Sequence, residues 1–465
     1  MVGRDVGALG KHLALIGFMG AGKTTVGRRV AKLVDRPFVD LDAVIEDRHG
    51  PIPELFERGE PAFRRIEQEL ALDVLEAREP AVVALGGGVV ELPENRDLLR
   101  RTAFAVYLDV DVDRAWARVK DSDRPLAQRE VDFRRLYDLR RALYLGAADA
   151  IAGDVEDVLL AALEIELVGG SRRVAVRPQA LVADERVLEV HPLDLGCPVY
   201  PVPSGEPAKR LEVAGQLWED FDLDRSGSIV GYGGGTTTDL AGFAAAGYLR
   251  GVAWISWPTT LVGQVDAGIG GKTGVDLAKG KNLVGAFHYP RTVILDPALL
   301  GTLPPEERKA GMAEVVKTGL LTGRPLWELE DEAMVRACAA YKASVCLSDP
   351  FEQTGRRAIL NLGHTFGHAL EAASGFTLRH GDAVALGLLA ALRLSGQSTE
   401  VVEDVLAPEP VAVDRDRAWE AMYRDKKAKD GRIRLVLLEE PGRPVFPAER
   451  PEDEVRAALD ALIRK

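Results

Sequence analysis

Residues 13–24 read LALIGFMGAGKT, an apolar run that leads into the pattern G-x-x-x-x-G-K-[ST] over residues 17–24. A buried strand, a glycine-rich turn and a helix N-terminus in this order let backbone N–H groups surround phosphate oxygens. In such a loop the Lys23 ammonium reaches the outer phosphates, and the Thr24 hydroxyl can bind Mg²⁺. The stretch therefore predicts an ATP site in a parallel α/β domain, with these contact residues: Gly20, Ala21, Gly22, Lys23 and Thr24.

Composition excludes several classes of protein. The chain has 465 residues, enough for about three domains, and it is 46% hydrophobic and 28% charged, as globular proteins are. A formal net charge of −13 argues against binding to a nucleic-acid backbone. Cys197, Cys338 and Cys346 are too few for a disulfide framework, which indicates a reducing compartment, and no apolar run approaches the roughly 20 residues of a membrane span. We therefore expect a cytoplasmic protein with small-molecule substrates and neither nucleic acid nor membrane as a partner.

The order of strand and helix patterns indicates three domains. Short apolar runs alternate with helical patterns over residues 12–165 and again over 172–302, which is typical of parallel sheets buried on both faces. The segment Val168-Gly169-Gly170-Ser171-Arg172-Arg173 is typical of a linker. After Leu303 the pattern is mostly helical, with one late apolar run at 432–440. The predicted domains are an α/β domain over 1–168, a second α/β domain over 174–302 and a helical domain over 303–465.

Two carboxylates follow the second apolar run of the first domain, in Val39-Asp40-Leu41-Asp42. At the end of a strand they would lie beside the outer phosphate of ATP. Asp40 is then suited to hold Mg²⁺, and Asp42 to accept a proton from an attacking hydroxyl. The alternative is that Asp42 only caps the following helix.

Further along, Phe63-Arg64-Arg65-Ile66-Glu67, Gly86-Gly87-Gly88, Arg124-Pro125-Leu126 and Arg140 follow in order. Together with the phosphate loop they make residues 12–165 resemble shikimate kinase. The resemblance implies that Asp42 binds and activates the shikimate hydroxyl, that Arg64 and Arg140 clamp the shikimate carboxylate, and that Glu67 orients Arg64. It also implies that Gly87 and Gly88 contact the ring hydroxyls and that Arg124, on the lid, meets the phosphates. The lid segment, residues 120–124, looks short for the family.

A different small-metabolite P-loop kinase, such as a gluconate or nucleoside monophosphate kinase, is the alternative for this half. The triple glycine and the FRRIE segment argue against both.

In the second half, residues 229–239 read IVGYGGGTTTD, which predicts a strand, a glycine turn and a helix start. That arrangement suits a pyrophosphate, although it is not a complete G-x-G-x-x-G. The polar residues further on, within 258–288, are poor core material and predict the wall of an active site.

Histidines are concentrated in the helical domain. His364 and His368 are four residues apart, so they share one helix face and can share a metal or a substrate. His380 follows shortly afterwards, and imidazole with carboxylate is a donor set that suits Zn²⁺. The alternative is two core histidines and one surface histidine.

The strings GGGTTTDLAGF, PTTL, GGKTGV, KNLVGAFH, AEVVK, NLGHTFGHALE and RDKK then make residues 180–440 resemble 3-dehydroquinate synthase. The resemblance implies NAD⁺ and a divalent metal, Zn²⁺ or Co²⁺, bound by Glu314, His364 and His380, with His368 as an acid or base on the substrate side. Implied NAD⁺ contacts are Asp184, Glu206, Lys209, Gly234, Gly235, Asp239, Thr259, Thr260 and Thr302. Implied substrate residues are Asp266, Lys272, Lys281, Asn282, Lys317, Lys342, Arg357, Asn361 and Lys426, of which Lys272, Lys317 and Lys342 are predicted to be catalytic. Arg250 corresponds to an arginine that reaches the neighbouring subunit, which implies a homodimer through this half.

The two resemblances imply a bifunctional enzyme of aromatic amino-acid biosynthesis. Its fold would be a P-loop kinase domain, a Rossmann-like NAD domain and an α-helical metal-binding domain. One half would phosphorylate shikimate with ATP and Mg²⁺, and the other would convert 3-deoxy-D-arabino-heptulosonate 7-phosphate to 3-dehydroquinate with release of phosphate. Two alternatives stay open: one half is a regulatory module, or the second half is a metal-dependent polyol or glycerol dehydrogenase. The family's first hairpin is largely absent, and residues 321–336 and 395–414 look shortened.

Overall fold

The computed structural model describes residues 6–122, 124–168, 178–278, 280–424 and 433–464. The chain divides into two compact units, one built mainly from residues up to Ile165 and the other mainly from residues after it. Among the described residues, no helix is both long and apolar enough to cross a membrane.

The first unit is a five-stranded parallel sheet flanked by helices, with the strand order β2-β3-β1-β4-β5. Its strands are β1 (His12–Ile16), β2 (Phe38–Asp40), β3 (Val82–Ala84), β4 (Ala103–Leu108) and β5 (Ala150–Ala152). Its helices are α1 (Lys23–Val34), α2 (Leu41–His49), α3 (Ile52–Glu57), α4 (Glu60–Leu75), α5 (Pro93–Thr102), α6 (Val112–Val119), α7 (Glu130–Ala147) and α8 (Val155–Ala162). β1 and β4 are buried along their whole length, as their unbroken apolar sequences predict.

The carboxyl ends of β1, β2 and β3 bring three predicted segments to one edge of this sheet. The phosphate loop follows β1, the acidic pair follows β2, and the triple glycine follows β3. Gly20 and Gly22 have φ values of 78° and 92°, a left-handed conformation that glycine adopts without steric cost. α1 begins at Lys23, directly after this turn. The edge is the expected place for a ligand in an open α/β sheet.

The second unit contains a six-stranded sheet with the order β6-β13-β10-β9-β7-β8 and a separate antiparallel hairpin, β11–β12. The strands are β6 (Ile165–Leu167), β7 (Ala180–Asp184), β8 (Val199–Val202), β9 (Ser228–Gly233), β10 (Ala253–Pro258), β11 (Lys272–Leu277), β12 (Gly280–Phe287) and β13 (Thr292–Leu295). The helices of this part are α9 (Glu185–Val190), α10 (Leu211–Asp220) and α11 (Gly235–Gly247). The central strands β7, β9 and β10 pair in parallel, so the predicted α/β fold with parallel sheets is confirmed.

β6 is a feature that the sequence patterns do not predict. It precedes the glycine-rich segment, and it is the outermost strand of the second sheet, beside β13. The backbone N–H of Val168 donates to the carbonyl of Leu295 at 2.8 Å and extends this pairing. The predicted linker itself, apart from Val168, lies outside the described residues.

The remainder of the second unit is mostly helical, as its pattern predicts. Its elements are α12 (Pro305–Thr322), α13 (Asp331–Ser348), α14 (His364–Ala373), α15 (His380–Ser395), α16 (Glu400–Leu406), α17 (Arg415–Arg424), the antiparallel pair β14 (Leu435–Glu440) and β15 (Arg443–Ala448), and α18 (Glu452–Asp460). The late apolar run forms β14. His364 and His380 are the first residues of α14 and α15, so the helix geometry holds both rings at helix N-termini.

Candidate active sites

The phosphate loop surrounds Lys23, which is partly buried. The Lys23 ammonium donates to the carbonyls of Gly17 and Phe18, at 2.8 and 3.2 Å. Burial lowers the pKa of Lys23 to about 8, although Asp42 opposes that shift. Beside it, the Thr24 hydroxyl donates to Oδ2 of Asp40 at 2.7 Å. A hydroxyl and a carboxylate in contact at the start of α1 are oxygen donors that fit Mg²⁺.

Asp42 lies within this group but does not cap α2. The cap of α2 is Asp40, whose Oδ1 accepts from the backbone N–H of Asp42 at 3.2 Å, so the capping alternative for Asp42 is wrong. Burial raises the pKa of the Asp42 carboxyl, and Lys23 opposes the shift. A Cβ atom on Gly86 would lie 3.1 Å from Oδ1 of Asp42, so glycine keeps this approach open. A buried carboxylate with a raised pKa is suited to accept a proton from a hydroxyl.

Carboxylates surround the two arginines predicted to clamp the substrate. Arg64 donates to Glu67 Oε2 at 2.6 Å and to Glu60 Oε1 at 2.9 Å. Arg140 donates through Nε to Glu91 Oε1 at 2.8 Å. The structure thus places the predicted orienting residue Glu67 against Arg64, and it adds Glu91, which the sequence analysis missed. Glu91 follows the triple glycine by three residues, but its sequence neighbours give no sign of its partners.

The glycines and the lid complete this surface. A Cβ on Gly88 would collide with the Arg64 guanidinium, and the Tyr144 hydroxyl donates to the Gly87 carbonyl at 2.5 Å. Arg124 is exposed and close enough to Lys23 to contribute to lowering its pKa. Arg118, which the sequence analysis did not single out, donates to the Gly20 carbonyl at 2.7 Å.

In the second unit, Glu314, His364 and His380 converge. Nε2 of His364 lies 3.4 Å from Oε1 of Glu314, and Nε2 of His380 lies 3.2 Å from the same oxygen. One ligand atom from each of the three lies within 4.8 Å of the others. Burial lowers the pKa of His364 to about 4, whereas for His380 burial is outweighed by the hydrogen bonds to Glu314 and Glu371, which raise the pKa to about 10. A metal that binds here would displace the proton of His380. Two imidazoles and one carboxylate fit a catalytic Zn²⁺ or Co²⁺ site with a position left for substrate.

His368 lies beside this group but outside it. Its ring centre is 5.5 Å from that of His364 and 6.5 Å from that of His380. Glu371, a buried residue outside the predicted set, has its Oε2 3.6 Å from Nδ1 of His380. The signal was available, because Glu371 is seven residues after His364 and shares its helix face. A carboxylate on the far nitrogen of a ligating histidine fixes the orientation of the ring.

Lysines and an aspartate adjoin the three ligands. Nζ of Lys317 lies 2.5 Å from Oε2 of Glu314 and 3.9 Å from Oδ1 of Asp266, which also pairs with Lys342. Burial disfavours the Lys317 charge, but Asp266 and Glu314 outweigh it and raise the pKa of Lys317. Lys272 pairs with Glu352, and burial lowers the pKa of Lys272. This cluster can neutralise an anionic substrate beside a metal.

The glycine turn before α11 fits a pyrophosphate. Gly234 precedes the helix and Gly235 begins it. The hydroxyl oxygen of Thr237 is buried there and has no hydrogen-bond partner among the described residues. Lys209 and Asp239 form a buried pair at 2.6 Å, and Asp184 caps α9 through the N–H groups of residues 186 and 187. An unpaired hydroxyl, and a helix N-terminus that no side chain of the described residues caps, support a dinucleotide site here.

Other predicted residues lie in varied surroundings. Lys281 pairs with Glu206 at 2.7 Å, and the Thr302 hydroxyl lies 2.6 Å from Nε2 of His191. Arg357 is buried and donates to the Gly270 carbonyl at 2.7 Å. The rest are placed as follows: Asn361 donates to the Ala358 carbonyl at 3.1 Å, Asn282 has a φ of 55° on β12, Thr259 and Thr260 follow β10, Arg250 is exposed, and Lys426 lies outside the described residues.

Known proteins resemble both halves of the chain. Residues 19–163 match the family model described as shikimate kinase, residues 199–310 match 3-dehydroquinate synthase N-terminal, and residues 311–428 match 3-dehydroquinate synthase C-terminal. A bifunctional shikimate kinase/3-dehydroquinate synthase of Thermotoga maritima is 34% identical over 94% of this chain and 97% of its own length. A 3-dehydroquinate synthase of Symbiobacterium thermophilum is 42% identical, over 57% of this chain and 82% of its own. The crystal structure of 2-deoxy-scyllo-inosose synthase with carbaglucose-6-phosphate, NAD⁺ and Co²⁺ is 26% identical, with a TM-score of 0.55 over 61% of this chain and 91% of that one.

Proposed function

Since this chain belongs to the family of bifunctional shikimate kinase/3-dehydroquinate synthases, we propose which of its residues perform each activity. The enzyme phosphorylates shikimate with ATP to give shikimate 3-phosphate. It also converts 3-deoxy-D-arabino-heptulosonate 7-phosphate to 3-dehydroquinate and phosphate, with NAD⁺ and a divalent metal. The observation that carries both activities is that a relative with both names aligns along 94% of the chain.

For the kinase, we propose that Lys23 and the loop backbone bind the ATP phosphates, and that Thr24 and Asp40 hold Mg²⁺. Asp42 receives the proton of the shikimate hydroxyl, which its burial and raised pKa support. Arg64 and Arg140 bind the shikimate carboxylate, because a guanidinium offers the planar pair of donors that a carboxylate accepts.

For the synthase, we propose that Glu314, His364 and His380 hold the divalent ion and that the turn at Gly234 receives NAD⁺. When bound, these two groups supply a Lewis acid and a hydride acceptor. The chain's own residues neutralise the substrate's carboxylate and phosphate, orient it and move protons. The cations for this work are Lys272, Lys281, Lys317, Lys342, Arg357 and Lys426. His368, beside the ligand group, exchanges a proton with the substrate.

One assay separates this synthase activity from that of a polyol dehydrogenase. The purified chain, given the heptulosonate phosphate and NAD⁺ at far below substrate concentration, should release phosphate over many turnovers without accumulating NADH. A synthase that uses NAD⁺ catalytically would form no net NADH, whereas a dehydrogenase would form one NADH per turnover. For the kinase, ADP should form with shikimate and not with gluconate or a nucleoside monophosphate.

We propose that the enzyme is a homodimer through its synthase half and that Arg250 serves the partner's site. The turn that carries Arg250 supports this: Leu249 and Arg250 have φ values of 48° and 65°, strained for non-glycine residues, and both side chains are exposed. Backbone strain of this kind is concentrated at functional sites.

Subunit complementation tests that proposal. Arg250→Ala and His364→Ala chains should each lack synthase activity. In a refolded equal mixture, half of the dimers are hybrids, and each hybrid has one complete site out of two. The mixture should therefore regain about one quarter of wild-type activity. An inactive mixture, despite hybrid dimers in native mass spectra, would contradict the shared site. We also propose a cytoplasmic location, which the three free thiols support and cell fractionation can check.

A further inference from the structure

The Glu91 carboxylate bridges the two arginines assigned to the shikimate carboxylate. Its Oε1 accepts from Nε of Arg140 at 2.8 Å, and its Oε2 lies 3.4 Å from Nε of Arg64. Each oxygen of one carboxylate therefore faces a different guanidinium. A substrate carboxylate clamped by the same two arginines would be held in a comparable way.

Glu91 differs from the other carboxylate beside Arg64 in its freedom to move. The Glu67 side chain is 2% exposed and lies 2.6 Å from Arg64, so it is fixed in the interior. The Glu91 side chain is 33% exposed and comes from the last residue of the short turn Val89–Glu91. A single side-chain rotation can therefore move Glu91 into water, which Glu67 cannot reach.

The arginines have no comparable freedom. The Arg140 side chain is 3% exposed, and among the described residues Glu91 is the carboxylate that pairs with it. A buried cation without a counter-ion is costly, so Glu91 stabilises Arg140 before substrate binds. Arg64 packs directly on Gly88, where a Cβ would collide with its guanidinium, so Arg64 cannot withdraw toward the sheet.

We propose that Glu91 is a displaceable internal counter-ion, which holds Arg64 and Arg140 together until the substrate carboxylate replaces it. This inference rests on the proposed roles of the two arginines in the kinase. Glu91 then acts as a specificity residue. A neutral polyol has no negative charge to replace the Glu91 carboxylate beside the two arginines, so it cannot displace Glu91. Displacement of Glu91 uses part of the free energy of shikimate binding. The affinity for shikimate is therefore lower than the two arginines would give without Glu91.

The test is Glu91→Gln, which removes the charge and keeps the size. We expect the KM for shikimate to fall at least about fivefold, with the KM for ATP unchanged. The matched control is Glu60→Gln, because Glu60 also pairs with Arg64 but does not contact Arg140. An exposed pair contributes little, so the control should leave the KM for shikimate nearly unchanged.

Thermal unfolding gives a second measurement that needs no turnover. Saturating shikimate should raise the Tm of the Glu91→Gln variant more than that of the wild type, because in the variant Arg140 has lost the carboxylate that pairs with it among the described residues. A KM for shikimate that rises or stays the same, with an equal or smaller Tm shift, would mean that Glu91 remains in place, and would overturn the proposal. Failure of the kinase assignment looks different: the wild-type chain itself would not phosphorylate shikimate.

Discussion

Lys23 and Lys317 show that one type of residue can have different roles in different surroundings. Lys23 has backbone carbonyls as its hydrogen-bond partners, and burial lowers its pKa to about 8. Lys317 is more deeply buried, but Asp266 and Glu314 lie beside it and raise its pKa. Lys23 therefore has charge available for an incoming anion, whereas Lys317 already neutralises two carboxylates. We infer that Lys23 acts on phosphate, and that Lys317 stabilises the metal-binding group in addition to its proposed role toward the substrate.

The first prediction concerns Lys23. Lys23→Ala should lower the rate of shikimate phosphorylation at least about 100-fold, since charge stabilisation at a transferring phosphoryl group is worth about 3 kcal/mol or more. Dehydroquinate formation should be unchanged. Lys32→Ala is the matched control, an exposed lysine on the same helix that should leave both rates intact. Near-normal kinase activity in Lys23→Ala would contradict the assignment of the phosphate loop.

The second prediction distinguishes His364, a proposed metal ligand, from His368, a proposed substrate contact. His364→Ala should lose the synthase metal, because one of three ligands is gone. His368→Ala should retain the metal and lose turnover, because its ring lies outside the ligand group. Elemental analysis of the purified variants measures this. Metal lost from His368→Ala but kept in His380→Ala would reverse the assignment.

At the scale of elements, the burial of a strand determines whether the sequence pattern predicts it. The continuous apolar runs of β1, β4, β9 and β10 predict strands because both faces of these strands are covered. β8 and the β11–β12 hairpin were missed because they are partly exposed and rich in proline, glycine or polar residues.

In the candidate sites, the sequence predicts local motifs but not contacts between residues that are distant along the chain. The phosphate loop and the triple glycine are local motifs, and the sequence alone predicts them. The contact of Glu91 with Arg140 joins residues 49 positions apart, and that of Glu371 with His380 joins two helices. Only the tertiary fold brings such pairs together.

The third prediction concerns His288, which joins the end of β12 to β10. Its Nε2 lies 2.8 Å from the Val252 carbonyl, and its own carbonyl accepts from Nε1 of Trp254 at 2.9 Å. Burial lowers the pKa of His288, so the folded ring stays neutral where the unfolded one, with a pKa of about 6.5, takes up a proton. Stability from this ring is therefore complete above about pH 7 and is lost progressively as the pH falls below the pKa of the unfolded ring.

His288→Gln tests this, because glutamine keeps a donor near Val252 and does not titrate. The free energy of unfolding of the variant should fall less steeply between pH 7 and pH 5, by at most about 1.4 kcal/mol per pH unit. His49→Gln, at the exposed end of α2, is the control and should keep the wild-type slope. Parallel curves for His288→Gln and the wild type would contradict the neutral buried ring.

At the scale of the whole molecule, the two proposed sites draw on different parts of the chain. The proposed kinase residues lie in the first unit, between the phosphate loop and Arg140. The proposed synthase residues that the structure describes lie in the second unit, between Asp184 and His380. The product of the synthase is not the substrate of the kinase, since a dehydration and a reduction separate them. The fusion therefore ensures that the two enzymes are produced in equal amounts. Direct transfer of a product from one site to the other is not chemically required.

The fourth prediction is that metals separate the two activities. After treatment with a strong chelator, Mg²⁺ alone should restore shikimate phosphorylation, because that ion is held weakly and largely with the nucleotide. Dehydroquinate formation should return only with Zn²⁺ or Co²⁺, the ions that suit two imidazoles and a carboxylate. The His364→Ala protein, treated in parallel, should recover the kinase alone. Recovery of both activities with Mg²⁺ would contradict the distinct metal sites.

The position of β6 has a consequence for anyone who separates the halves by cloning. A fragment that starts after the glycine-rich segment encodes a second sheet without its outermost strand. The exposed edge of β13 would then offer unpaired backbone groups to other molecules, which promotes aggregation. A gene fragment for the synthase half should therefore begin before Ile165, and the kinase half should stop there, although the glycine-rich segment reads as the natural place to cut.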